Sequence, residues 1–120
     1  MIDVSLSGIG VLAPGLAGWD AARPILAGTA NYAFAALPNP SPDVLPAAER
    51  RRAGAVVRLA LAVAQEALGR SGLARETVAS VFATADGDGE NVHVICEALA
   101  GNALEISPIR FHNSVQNAPS

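Results

Sequence analysis

The chain has 120 residues, which suits one compact domain with a core of its own. It is 51% hydrophobic, 16% charged and 4% aromatic, with a net charge of −3, so its apolar content is mostly alanine, valine, leucine and isoleucine. That balance excludes a basic nucleic-acid surface and a disulfide framework, since Cys96 is the single cysteine.

The solitary thiol fits a reducing, cytoplasmic compartment. The N-terminus carries Asp3 and lacks a basic start, so no signal peptide is expected. No apolar run reaches the roughly 18 residues a membrane span needs. The nearest, Ala53 to Ala64, is interrupted by Arg58. Weak charge and many small apolar side chains point to a piece of a larger body, or to a subunit with a large partner surface. An alanine-rich genome bias would give the same composition.

In chain order, Ile2 to Ile9 reads as a strand. Ile2, Val4 and Leu6 alternate with Asp3, Ser5 and Ser7 before Gly8 and Gly10 break the pattern. Val11 to Gly15 reads as a loop, punctuated by Pro14-Gly15. Gly18 to Gly28 is a short helix candidate with Trp19, Ala22, Ile25 and Leu26 as its apolar set and Pro24 inside it. Thr29 to Leu45 is a proline-rich connection that Tyr32, Phe34 and Leu37 are expected to pin to the body.

Pro46 to Gly69 is predicted as one long helix around which the rest is organised. Pro46 can open its first turn, and Val56, Leu59, Ala60, Val63 and Ala67 form one face. Val57, Leu61, Ala64 and Leu68 widen the apolar arc, leaving Arg58, Gln65 and Glu66 as a wet edge. Such a helix is expected to be covered on more than one side. Arg50, Arg51 and Arg52 read as a solvated face or as partners of Glu49. Ala74 to Val78 has room for a helical turn. Val78 to Thr84 is a nearly unbroken apolar run, the mark of a strand buried in a parallel sheet. Ala85 to Asn91 is a polar turn, and Asn91 to Leu99 a helix with Val92, Ile95, Cys96 and Leu99 on one face. Gly101-Asn102 ends it. An extended piece then runs into Ser107-Pro108, followed by a polar stretch. The order strand, helix, strand, helix predicts an α/β layer architecture containing a right-handed βαβ unit.

Four groups of residues are chemically suggestive. Gly8-Ile9-Gly10-Val11-Leu12-Ala13 matches a loose dinucleotide pattern, but Pro14-Gly15 prevents a helix from opening on those glycines. A tight turn at a strand end is the better reading. Asp86, Asp88 and Glu90 alternate like calcium ligands, yet Asn91 stands where the calcium loop needs glycine. Asp88 or Asn91 capping the next helix is preferred. His93 and Cys96 lie three apart on one helix, but Cys96 falls in the apolar stripe and reads as an inert, buried thiol. His93 reads as a surface or interface residue. Neither a metal site nor a cofactor is predicted. His112, Asn113, Ser114, Gln116 and Asn117 form the densest polar group, suited either to a hydrogen-bonded network near an active site or to a polar tail. Phe111 and Val115 argue against the tail.

Taken together, several stretches resemble a known family. SGIGVLAPG with Trp19 and Leu26-Ala27-Gly28 is similar to the start of β-ketoacyl synthases. ERRRAGAVVRLALAVAQEAL, VFATADGDG and SPIRFHNSVQNAPS resemble the β-ketoacyl synthase-like N-terminal domain of the chain-length-factor type, found in type II polyketide or aryl polyene gene clusters. The resemblance takes in residues 1–120 as one domain.

It implies part of a thiolase-like α/β fold, with a mostly parallel or mixed sheet and helices packed on it. It implies an acyltransferase parent of fatty acid or polyketide biosynthesis. Its partners would be acyl carrier protein and a second subunit, as a homodimer or a heterodimer with a ketosynthase. Asn113 and Asn117 match the segment preceding the family's nucleophilic cysteine and are expected to support the site. Cys96 does not match that nucleophile, and His93 and His112 do not match the catalytic histidines, so no catalytic residue is expected here. Two other readings are a non-catalytic partner that sets chain length and a stand-alone α/β interaction module.

Overall fold

A computed structural model describes residues 1–101 and 105–115. It is helix-rich with one small antiparallel sheet. Strand β1 (Leu12–Ala13) pairs with β2 (Leu16–Ala17), Leu12 opposite Ala17 and Ala13 opposite Leu16. Helices α1 (Trp19–Leu26), α2 (Ala47–Arg52) and α3 (Ala55–Ser71) follow, then a 3-10 turn at Arg75–Thr77, then α4 (Gly89–Ala100) and α5 (Pro108–Ser114). No helix among the described residues is long and apolar enough to cross a membrane.

The stretch expected to loop at Val11 to Gly15 instead makes a hairpin. Gly15 supplies the left-handed turn (φ 72°), and its N–H donates to the Ala35 carbonyl at 3.0 Å. The Tyr32 hydroxyl donates to the Pro14 carbonyl at 3.1 Å, so Tyr32 does pin the proline-rich connection. Phe34 does not, being 78% exposed.

The predicted long helix is two helices. Ala53 (ψ 128°) and Gly54 (ψ 165°) leave helical geometry between α2 and α3. Glycine weakens the helix there, and tertiary contacts favour the break. The Asn113 amide donates to the Arg52 carbonyl at 2.9 Å, while Gly54 closes on Asp88 and Asn113. Helix α3 then runs 17 residues and ends on Gly72 in the left-handed region (φ 69°).

Two predicted strands are not formed. Ile2 to Ile9 and Val78 to Thr84 have no ladder partner, because the two-residue hairpin holds the pairing present among the described residues. The apolar run was expected to be buried, yet Val81 is 94% exposed. The parallel or mixed sheet is therefore absent among the described residues. The piece after Ser107 was read as a polar stretch. It folds as α5, with Pro108 in the first turn, where its missing N–H costs nothing.

Burial is sparse. Among the described residues Ala22, Pro42, Val57 and Asn91 are buried, and α3 is half-buried along most of its length. The accessible surface is 8718 Å², against roughly 6,000 Å² for a compact chain of this mass. The radius of gyration is 17.1 Å, against about 13.6 Å for a compact domain of this length. Among the described residues, the faces of α3 that its wide apolar arc prepares for burial are only partly covered.

The closest approach to α3 is made by backbone. A Cβ at Gly8 would fall on the Ala67 carbonyl oxygen, and one at Gly10 on the Val63 carbonyl oxygen. The Gly-x-Gly pattern thus serves backbone-to-helix packing. It does not open a helix, since α1 starts only at Trp19.

Candidate functional site

Elements α2, α3 and α5 meet at a cleft of about 400 Å³. Leu45, Val57 and Ile109 give it apolar walls, and Glu49, Arg52, His112 and Asn113 its polar ones. Its position follows from the helix break. Because α2 stops at Arg52, the Arg52 carbonyl is free to receive the Asn113 amide from α5. Asn113 also borders a smaller cleft on its other side, lined by Val56, Ala60, Phe82 and Val115. One carboxamide separates the two spaces.

A second tie holds α5 in place. Asp88 caps α4, its carboxylate accepting from the Asn91 N–H at 3.3 Å. That settles which of the two capping candidates acts. It also frees the Asn91 side chain, whose amide donates to the Arg110 carbonyl at 2.5 Å while its oxygen accepts from the Arg110 guanidinium at 3.4 Å. Asn91 is the buried polar residue of the described chain, and both ends of its amide are satisfied.

On the opposite side of α3, Glu66 gathers the N-terminal elements. Its carboxylate accepts from the Trp19 N–H at 2.6 Å and the Val11 N–H at 2.9 Å, with the Arg70 guanidinium at 3.4 Å. Arg70 in turn donates to Asp20 at 2.5 Å. Burial pushes the Glu66 carboxyl up, but the hydrogen bonds from Trp19, Val11 and Arg70 outweigh it and hold the group below its ordinary value. The bond to Asp20 raises the Arg70 guanidinium above its ordinary value.

Of the predicted site residues, Asn113 lies at the cleft and Asn117 lies outside the described residues. His112 borders the cleft. Cys96 does not, and it is exposed on α4 where a buried thiol was expected, because no layer among the described residues covers that side of the helix. His93 is on the surface, 3.4 Å from Glu97. Of the arginines read as a solvated face or as partners of Glu49, Arg51 and Arg52 are exposed, while Arg50 pairs with Asp43 at 3.6 Å and donates to the Leu45 carbonyl at 3.1 Å. Among the described residues no group of three or more His, Cys, Asp or Glu side chains is placed to hold a metal ion. Among the described residues, those lining the larger cleft include no hydroxyl or thiol. The cleft gathers a fixed carboxamide, a guanidinium, an imidazole and a carboxylate around an apolar floor.

Sequence reasoning missed Asn91 and Glu66 as anchors. The signal for Glu66 was a carboxylate on the wet edge of an otherwise apolar helix. For Asn91 it was an amide one turn into a helix that Asp88 already caps.

Comparison with curated proteins and with solved structures gives no match. Comparison with protein families matches residues 27–120 to the family described as beta-ketoacyl synthase, N-terminal domain. The SGIGVLAPG stretch and Trp19 precede that match, whereas the ERRRAG helix, VFATADGDG and the SPIRFHNSV segment fall inside it. With most of its length matched, this chain belongs to the β-ketoacyl synthase N-terminal domain family.

Proposed function

We propose that this chain forms the front portion of a thiolase-like body, residues 1–120 contributing to one domain whose remaining layers cover α3. The observation that carries this reading is the uncovered apolar surface. Ile2 is 90% exposed and Val81 is 94% exposed, on two unpaired segments. Ser7, Gly8 and residues 78–82 line one apolar trough of about 590 Å³ over α3. In the complete body these two segments become strands of a mostly parallel sheet packed on that helix.

The intact protein's reaction is acyl transfer with decarboxylative carbon–carbon bond formation on chains borne by acyl carrier protein. Asn113 and Asn117 support the site, and the nucleophile is not among these residues. The arginines of α2 offer an acidic carrier protein a charged contact. The body works as a cytoplasmic homodimer or paired with a ketosynthase. A chain-length-factor role, without its own nucleophile, is the second reading.

The test mixes the purified chain with malonyl-loaded carrier protein, with and without a partner ketosynthase. Carbon dioxide release and light scattering are read together. No turnover by the chain alone is expected, along with self-association or pairing. Turnover by the chain unaided overturns the assignment. A stable monomer that ignores both partners favours a stand-alone interaction module.

A further inference from the structure

We propose that residues 8–28 form a detachable cap latched to α3 by the Glu66 carboxylate, and that protonating this one group releases the cap while α4 and α5 keep their contacts. The geometry is unusual in using both oxygens on separate ends of one unit. Val11 leads into β1 and Trp19 begins α1, and each gives its N–H to a different Glu66 oxygen. The Gly18 N–H donates to the Val11 carbonyl at 2.9 Å, closing the unit on itself.

Helix α1 has no cap of its own. Its N-cap is Gly18, at φ 93°, and no side chain there bonds the first turn. Glu66 therefore caps α1 from another helix, placing negative charge at the positive end of the α1 dipole. Gly18 also leaves the room this requires, since a Cβ there would stand 3.2 Å from the Glu66 oxygen.

The charged groups facing Glu66 are few. Arg70 faces it from α3, and Asp20 from α1 acts through Arg70. Leu12, Ala13, Leu16 and Ala17 of the hairpin carry no charge. The other polar side-chain link between this unit and α3, among the described residues, is Arg70 to Asp20, whose side chain is 86% exposed and screened by salt. The remaining contacts include the glycine backbone at Gly8 and Gly10 and the apolar packing of β1 on α3. A protonated carboxyl keeps one good acceptor and turns its other oxygen into a donor facing an N–H, so one bond is lost and the other loses its charge assistance. Because the bonded carboxyl sits below its ordinary value, the latch acts in full above the usual carboxylate range and fails as pH falls through that lowered value.

Hydrogen exchange on the full 120-residue chain tests this, with protection factors followed for the Val11 and Trp19 amides from about pH 6 to about pH 3. Amides of α5 and of the last two turns of α4, away from the Asp88 cap, serve as the internal reference. Protection at Val11 and Trp19 is expected to fall by about tenfold or more while the reference holds. Glu66→Gln is expected to show that loss already at the upper pH and no further response, and Asp20→Asn to keep the wild-type response. Three results overturn the proposal: protection at both amides that stays within about twofold across the range, simultaneous loss at α4 and α5, or a pH response abolished by Asp20→Asn. If Glu66→Gln fails to fold, the wild-type and Asp20→Asn titrations decide alone.

Discussion

The N-terminal unit and the region around α5 are held by different chemistry. Toward the N-terminus, α3 meets the chain through bare backbone at Gly8 and Gly10 and through the charged Glu66. Around α5 the ties run through carboxamides, Asn91 of α4 to Arg110 of α5 and Asn113 of α5 to Arg52 of α2. The first side has no room for a side chain, while the second encloses a cleft of about 400 Å³. A charged anchor with tight backbone packing is intolerant of added volume and sensitive to acid. Amide anchors around open space tolerate volume and ignore pH near neutrality. The side bearing the cleft is thus the one free to vary with a ligand or partner.

The largest expected effect comes from adding volume on the crowded side. Gly10→Ala puts a methyl on the Val63 carbonyl, and neither helix backbone nor glycine segment can yield cheaply. A loss of about 2–3 kcal/mol is expected in urea unfolding. The same substitution at Gly28, where a Cβ meets nothing within 4 Å but φ is 72°, should cost only the left-handed strain of about 1–2 kcal/mol. A smaller loss at Gly10 than at Gly28 would erase the contrast between crowding and backbone strain.

Next in size is Asn91→Ala, which removes the buried carboxamide bonded to both the Arg110 carbonyl and its guanidinium. It should lower stability by about 1–3 kcal/mol and speed amide exchange in α5 before α1. Exchange rising equally in α1 would show that the two sides are not independent. Asn113→Ala should cost less, about 0.5–1.5 kcal/mol, because water can reach the Arg52 carbonyl from the cleft. Its signature is faster exchange at the end of α2 with α4 unchanged. Smallest of all, Asp20→Asn removes an exposed ion pair and should leave the denaturant midpoint unmoved.

Helix existence was legible in the sequence because periodicity and caps are local. The helix that Asp88 caps, α4, lies within two residues of its predicted start, and α1 matches its apolar set. The break at Ala53–Gly54 was not legible, since the group that stabilises it, Asn113, lies some sixty residues away. The strands at residues 2–9 and 78–84 were legible as patterns but not as structure. An alternating or apolar run names a face, and a ladder needs a neighbour the described residues do not provide. At the candidate site, Asn113 was found through its segment's likeness to a family, while Asn91 and Glu66 act through partners 19 to 55 residues distant. Nothing in spacing alone marks such partners.

The paired glycines also act as a phase marker. Val63 and Ala67 stand four residues apart on α3, about 6 Å along its axis, and two residues of stretched chain cover about 6.6 Å. Gly8 and Gly10 meet these two carbonyls in step. Sliding the segment by one residue would drive the Ile9 side chain into the helix backbone, so the N-terminal segment can seat on α3 in a single alignment.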